Sequence, residues 1–370
     1  MKVKPNNFDL VRLLAAMQVV LVHGHHHLKI SHNATSEWIF GMLYYFPGVP
    51  VFFVISGMLV SASYERSKSL SGYCVNRALR IYPALWVCFL VAVGTVLWLA
   101  PQLFFNAPKS QLVAWIVAQI SFLQFYNPDF LRPYGVGVLN GSLWTIPVEL
   151  QFYVALPATY WFLRLKNQPL PTPSRSSNAR LLGLTLVLFL VAQMFYRLGS
   201  EHSEKVVFKL VDCSMVPHFW LFLAGVLLNR NLKKLMPLFE GKFIWWAAIH
   251  VGVSFLFQHL GVAGGYNKLV PITCISLAGM AVSFAFSWRT LSDRLLAGND
   301  ISYGVYIYHM VILNALVIMG LLGTYWSLAL LVFLTNICAI FSWRVIEKPC
   351  LSFKKRFGGR KETKPNVSSS

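Results

Sequence analysis

Acidic charge is what this chain of 370 residues has least of: Asp and Glu number 13 against 32 Lys and Arg, and charged residues of both signs make up only 12% of it. A soluble domain carries about a quarter of its residues as charge, so a water-covered globular surface is excluded for most of the length. The six cysteines (Cys74, Cys88, Cys213, Cys274, Cys338 and Cys350) have no paired spacing, and most fall inside apolar runs. They read as thiols, which excludes a disulfide framework and a zinc finger. There is no internal repeat, no long low-complexity region and no stretch with the composition of a soluble domain. No small-residue cleavage site follows the first apolar core either, so MKVKPNNFDL is expected to lead into a retained first helix.

What the chain does have is apolar surface: 56% of its residues are hydrophobic and 15% aromatic. Apolar stretches of about 17 to 25 residues, long enough for a bilayer core roughly 30 Å thick, recur from end to end. They fall near 9–29, 43–63, 81–100, 111–126, 143–165, 181–198, 213–229, 243–262, 269–288, 302–322 and 326–346. Eleven crossings would put the basic start and the basic tail on opposite sides. The run at 111–126 is the shortest, and NPDFLRPYGVGVLNGS follows it, so it is expected to be a partial or re-entrant element. Ten spans then remain, with both termini cytoplasmic. On that topology only Lys29, Lys109, Arg132, Arg197, Lys205, Lys209 and Lys268 of the 32 basic residues lie outside. This is the positive-inside bias of an inserted chain, so the net charge of +19 reports topology and not nucleic-acid binding. The expected architecture is an all-α polytopic transmembrane bundle over 1–352, with a flexible basic tail at 353–370 and a mobile cytoplasmic loop at 171–180.

Ionisable residues inside such spans are costly, at least about 2.5–3.5 kcal/mol each, and each asks for a reason. In the first span Asp9 and Arg12 lie near the cytoplasmic end, while His23 lies about 21 Å beyond Asp9 at the rise of a helix. In GSLWTIPVELQFYVALP, Glu149 comes about 9 Å in from the outer side. His23 and Glu149 therefore share a depth, and a base with an orienting carboxylate is one arrangement that depth allows. A helix–helix hydrogen bond is the competing reading for the histidine. His25, His26 and His27 point about 100° apart in turn and cannot all reach one ion, so they read as an interfacial cap and no metal is expected. Arg77 and Arg80 share one helical face at the inner side, with Arg12 at the same face; paired guanidiniums suit phosphate oxygens, although positive-inside decoration explains them as well. Tyr303, Tyr306 and His309 fall on neighbouring turns and read as packing and cavity lining.

Together these motifs resemble the acyltransferase 3 family of integral membrane acyltransferases over essentially the whole chain. FDLVRLLAAMQVVLVH, with Arg12 and His23, resembles the family's opening, and FFVISGMLV, with Ser56 and Gly57, its second helix. RALRIYPALW is similar to its Arg-x-x-Arg element, SLWTIPVELQFY to its fifth-helix motif, and YGVYIYH with WRVIEKP to its closing helices. The sequence departs from the family in having VEL where VEE is usual. The resemblance implies a cytoplasmic acyl-CoA donor, with acetyl-CoA the usual one, and a saccharide or lipid-linked glycan acceptor reached from the outer face. It also implies a bacterial inner-membrane location, an essential His23, and CoA phosphates met by Arg77 and Arg80, with Arg12 the first-helix arginine. Self-association is left open. A proton-coupled exporter or flippase of a glycan or small metabolite is the alternative, because buried His, Glu and Arg also build proton relays.

Overall fold

A computed structural model describes residues 6–30, 34–165, 174–201, 205–261 and 269–353. Those residues form helices and turns, and no strand occurs among them. The helices are α1 (Phe8–His27), α2 (Ala34–Leu43), α3 (Gly48–Arg66), α4 (Leu70–Leu99), α5 (Gln102–Phe105), α6 (Lys109–Ile120), α7 (Thr145–Phe162) and α8 (Arg175–Glu201). They continue with α9 (Val206–Asp212), α10 (Phe219–Phe239), α11 (Phe243–His259), α12 (Pro271–Phe286), α13 (Leu291–Leu296), α14 (Ser302–Ile318), α15 (Tyr325–Ser342) and α16 (Lys348–Ser352).

Among the described residues, five helical stretches are long and apolar enough to cross a membrane: Phe8–His27, Glu37–Arg66, Leu70–Leu99, Arg175–Gly199 and Tyr325–Ser352. The apolar helices α12 and α14, at 16 and 17 residues, are shorter. Large apolar side chains face outward along these helices, as they do only where the surrounding medium is apolar too. Trp98, Trp161, Trp245 and Trp326 are each more than two-thirds exposed and sit at helix ends, where aromatic belts meet the headgroup region. The chain is an integral membrane protein.

Two sequence expectations meet a specific structure. The segment 111–126 holds a helix of only 12 residues, Lys109–Ile120, about 18 Å long and too short to span. It leads into turns and short 3₁₀ helices up to Trp144. Irregular backbone inside a membrane protein needs internal partners for its carbonyls and amides, and here side-chain amides supply them. Asn127 donates to the Gly137 carbonyl at 3.0 Å, and Asn314 donates to those of Val138 and Leu139 at 3.0 and 2.9 Å. Asn314 also accepts from the Val136 amide at 2.8 Å, and Asn140 donates to the Ile307 carbonyl at 2.8 Å. The loop expected at 171–180 is shorter than its composition suggests, because α8 already begins at Arg175. Residues 166–173 and the tail from 354 lie outside the described residues.

Two contacts fix the frame that carries the site. Asn7, wholly buried, donates to the Ser287 and Trp288 carbonyls at 2.7 and 3.1 Å and accepts from the Ser292 amide at 2.8 Å, tying the start of α1 to the end of α12. Helices α3 and α10 touch backbone to backbone at Gly57 and Gly225. A Cβ on Gly57 would strike the Phe222 carbonyl, and one on Gly225 the Val54 carbonyl. The glycine of FFVISG therefore serves close helix packing.

Candidate active site

Three helices bring the inner arginines together. Arg12 comes from the second turn of α1, Arg66 from the end of α3, and Arg77 and Arg80 from the early turns of α4; all four line one cavity of about 380 Å³. Asp300, just before α14, and Glu149 of α7 face the same space. Arg12 and Arg80 both pair with the Asp300 carboxylate, across 288 and 220 residues of sequence. Ser302 holds that carboxylate from the other side, through its hydroxyl at 2.5 Å and its amide at 3.3 Å. Arg80 also reaches Glu347 at 3.5 Å, on a single π-helical turn at Trp343–Glu347, and lies between the Tyr303 and Trp343 rings at 5.9 and 5.8 Å.

The arginines thus divide into two kinds. Arg12 and Arg80 are neutralised by Asp300 and Glu347, as partly buried charges must be. Arg77 has no carboxylate partner among the described residues; its guanidinium lies 5.6 Å over the Tyr153 ring and its buried Nε has no hydrogen-bond partner. Arg66, exposed at the cavity mouth, likewise forms no ion pair there. An anionic ligand entering this cavity would meet Arg77 and Arg66 first.

His23 and Glu149 do not meet. The Glu149 carboxylate accepts from Ser56 Oγ at 3.2 Å and from the Tyr153 hydroxyl, within the arginine cavity. His23 turns instead to α14, where its Nδ1 lies 3.0 Å from Nε2 of His309 and the two rings stack with centroids 5.2 Å apart. Equal depth along two helices says nothing of the direction in which each side chain points, and the directions differ.

The tautomers of the histidine pair follow from its end point. Nδ1 of His309 lies 2.6 Å from the Tyr306 carbonyl, which can only accept, so Nδ1 carries the proton. Nε2 of the neutral His309 ring is then an acceptor, and Nδ1–H of His23 donates to it. Nε2 of His23 is left with its lone pair. His309 is completely buried, while His23 is partly accessible. A fixed tautomer with one basic nitrogen at an accessible position is the arrangement a general base or an acyl-accepting nucleophile requires. Of the other histidines of the run, His27 meets the His23 ring edge-on at 5.9 Å and the His26 ring at 4.8 Å, while His25 stacks on Phe40 at 3.7 Å.

A second cavity, also of about 380 Å³, lies beside the first and is lined by the amide-stitched segment together with Trp115, Trp144, Tyr196 and His218. Where the two approach each other, Phe53 of the arginine cavity packs 6.5 Å from the Trp144 ring and 5.3 Å from that of His218. Cys213, in the turn before α10, lines this second space.

Arg12, Arg77 and Arg80 share one cavity, as their common inner face implies; Glu149, expected at the depth of His23 nearer the outer side, lines that cavity instead, and the counter-charges of the arginines are not among the residues the sequence singles out. Asp300 and Glu347 were detectable as two of only 13 acids in the chain, each beside an apolar helix. His309 was seen as lining, and its partnership with His23 across 286 residues left no local signal.

Comparison with known proteins identifies the family. Residues 6–344 match the model of the acyltransferase domain family, acyltransferase 3. The chain is 30% identical to nodulation protein 10 of Rhizobium leguminosarum bv. viciae, over 96% of each. It is 26% identical to the O-acetyl transferase of Shigella phage Sf6, over 94% of this chain and 97% of that one. The peptidoglycan O-acetyltransferase OatA of Listeria monocytogenes is 24% identical over 93% of this chain, which spans about half (55%) of that longer protein. No solved structure matches. The match from residue 6 to residue 344 takes in α1 with His23, α4 with its arginines and α14 with His309, and the chain belongs to the acyltransferase 3 family and is an acyltransferase.

Proposed function

We propose that the protein is a membrane O-acetyltransferase that moves an acetyl group from cytoplasmic acetyl-CoA to a hydroxyl of an extracytoplasmic or lipid-linked saccharide. The observation that carries this reading is the histidine pair. Nε2 of His23 is left as the lone-pair nitrogen by the bond from Nδ1–H to His309, on α1, which also carries Arg12, and α14, which Asp300 precedes by two residues. The names of the relatives, two of them O-acetyltransferases, support the acetyl group and the hydroxyl acceptor. Ten spans with both termini in the cytoplasm, in a bacterial inner membrane, put the arginines on the side where acetyl-CoA is made.

The chain's own residues divide the work. Arg77 and Arg66, whose charges are uncompensated, take the phosphates of the donor, while Arg12 and Arg80 keep the cavity's shape through Asp300. The thioester is the acyl source. His23 removes the proton from the acceptor hydroxyl as that oxygen bonds to the thioester carbonyl carbon; the C–S bond breaks and the imidazolium returns the proton to the departing sulfur. In the two-step form Nε2 of His23 attacks the thioester carbonyl carbon and the C–S bond breaks to release the thiolate; the acceptor hydroxyl then takes the acetyl group from the acyl-imidazolium, its proton passing to the thiolate. Glu149, bonded to Ser56 and Tyr153, positions the cavity wall and does not orient His23.

The test is acetyl transfer by purified protein in nanodiscs with radiolabelled acetyl-CoA. His23→Ala should lower kcat by about 10²–10⁴, the range for losing a general base. Wild-type turnover in the His23→Ala protein at equal folding would sink the assignment. Label retained on His23 when acceptor is withheld would select the two-step form. A protein that neither transfers nor hydrolyses acetyl-CoA, yet moves glycans across vesicles, would be the exporter.

A further inference from the structure

We infer that the second cavity is the acceptor subsite and that it takes an uncharged pyranose ring of the saccharide, discriminating against anionic sugars. The inference rests on the O-acetyltransferase reading above and adds to it a place and a charge class for the acceptor.

Gln124 supplies the first observation. It is 3% exposed, lines the cavity, and its Oε1 has no hydrogen-bond partner. The amide cannot be turned to cure this, because its nitrogen already donates to the Gln119 and Ser121 carbonyls at 3.2 and 2.8 Å, both acceptors only. A buried carbonyl oxygen left without a donor costs free energy, and an O–H or N–H brought to it would recover that cost. The neighbouring amides make no such demand: those of Asn127 and Asn140 are engaged at both ends in holding the segment together.

The walls supply the second observation. Trp144 and Tyr196 give the cavity aromatic surface beside the lone acceptor, and a pyranose has an apolar C–H face for such rings and hydroxyls around its edge for such acceptors. Charge supplies the third. No Lys or Arg occurs among the described lining residues, and the one charged side chain is Asp212, exposed at the rim. A chain with 32 cations and 13 acids has thus kept its cations out of this cavity. A carboxylate or phosphate on the incoming ring would be desolvated there with no counter-charge and would face Asp212.

The cavity also borders the one proposed for the donor. It meets the arginine cavity at Phe53, Trp144 and His218. Asn140 in its wall hydrogen-bonds to Ile307, in the turn of α14 that also carries His309.

Binding measured without donor tests the site separately from the chemistry. Purified protein in nanodiscs is titrated with cellotetraose, chitotetraose and tetragalacturonate, each free and as a long-chain alkyl glycoside, and tryptophan emission is read. A neutral tetrasaccharide in either form is expected to bind, with tetragalacturonate weaker by about tenfold or more, the equivalent of one unpaired buried charge contact. Gln124→Met, checked for folding by its melt, should weaken neutral binding by about tenfold, the worth of one buried hydrogen bond. Asp212→Asn, at an exposed position that does not threaten the fold, should strengthen tetragalacturonate binding relative to that of the neutral sugars. Tetragalacturonate binding as tightly as the neutral sugars, neutral binding unmoved in a folded Gln124→Met protein, or no change in Asp212→Asn would each overturn the proposal. Neutral saccharide bound without any acetyl transfer would overturn the enzymatic reading and leave the cavity's assignment standing.

Discussion

The arginine cavity and the aromatic cavity each hold about 380 Å³ and are built by opposite means. The first is walled by ion pairs that reach across 220 to 288 residues; the second by aromatic rings and by amides that bond mostly to their own segment. On the proposed function, a polyanionic donor would take the one and an uncharged acceptor the other. One bundle can serve both because its few carboxylates are spent fixing the arginines.

That contrast can be broken from either side. The largest effect is expected from Asp300→Asn, which leaves Arg12 and Arg80 partly buried without their shared counter-charge. Losing one partner of a buried pair costs about 3–5 kcal/mol, seen as a lower melting temperature in detergent, and Arg12→Gln in the same protein should restore part of it. Neutral-saccharide binding by the folded fraction should persist, since the aromatic cavity shares none of these ions. Next comes the histidine pair. His309→Ala should lower kcat by about tenfold to a hundredfold through loss of orientation at His23. His309→Gln, whose amide oxygen can still accept from Nδ1 of His23, should recover most of it; equal losses in the two variants would reduce His309 to packing.

Arg77→Met should raise KM for acetyl-CoA by about tenfold with little change in kcat, as expected when one charge-assisted contact to phosphate is removed. A matching rise in KM for the saccharide would merge the two cavities into one functional site. The smallest effect belongs to Arg66→Gln. At the exposed cavity mouth it should change KM for acetyl-CoA by about threefold or less, and the difference should fade as salt is raised.

The sequence was legible wherever one residue carries the signal. His23, Arg12, Arg77, Arg80 and Glu149 stood out because charge in an apolar run is rare, and the short element at 109–120 stood out by its length. Pairings were not legible. The depth argument aligned His23 with Glu149, but rise along a helix fixes height and leaves azimuth free; the true partner, His309, sits in a tyrosine-rich turn that reads as core. Gln124 carries no sequence signal at all, since a lone glutamine after a short helix means nothing until its carbonyl proves to have no donor.

The touching backbones of α3 and α10 have a mechanical consequence. Gly57 and Gly225 leave no side-chain layer between the two helices that could shear, so the pair moves as one stiff panel. That panel carries Phe53 and Ser56 on the arginine side, and His218, at the head of α10, on the aromatic side. Displacing it resizes both chambers in one stroke, which couples their volumes as a partition couples two rooms.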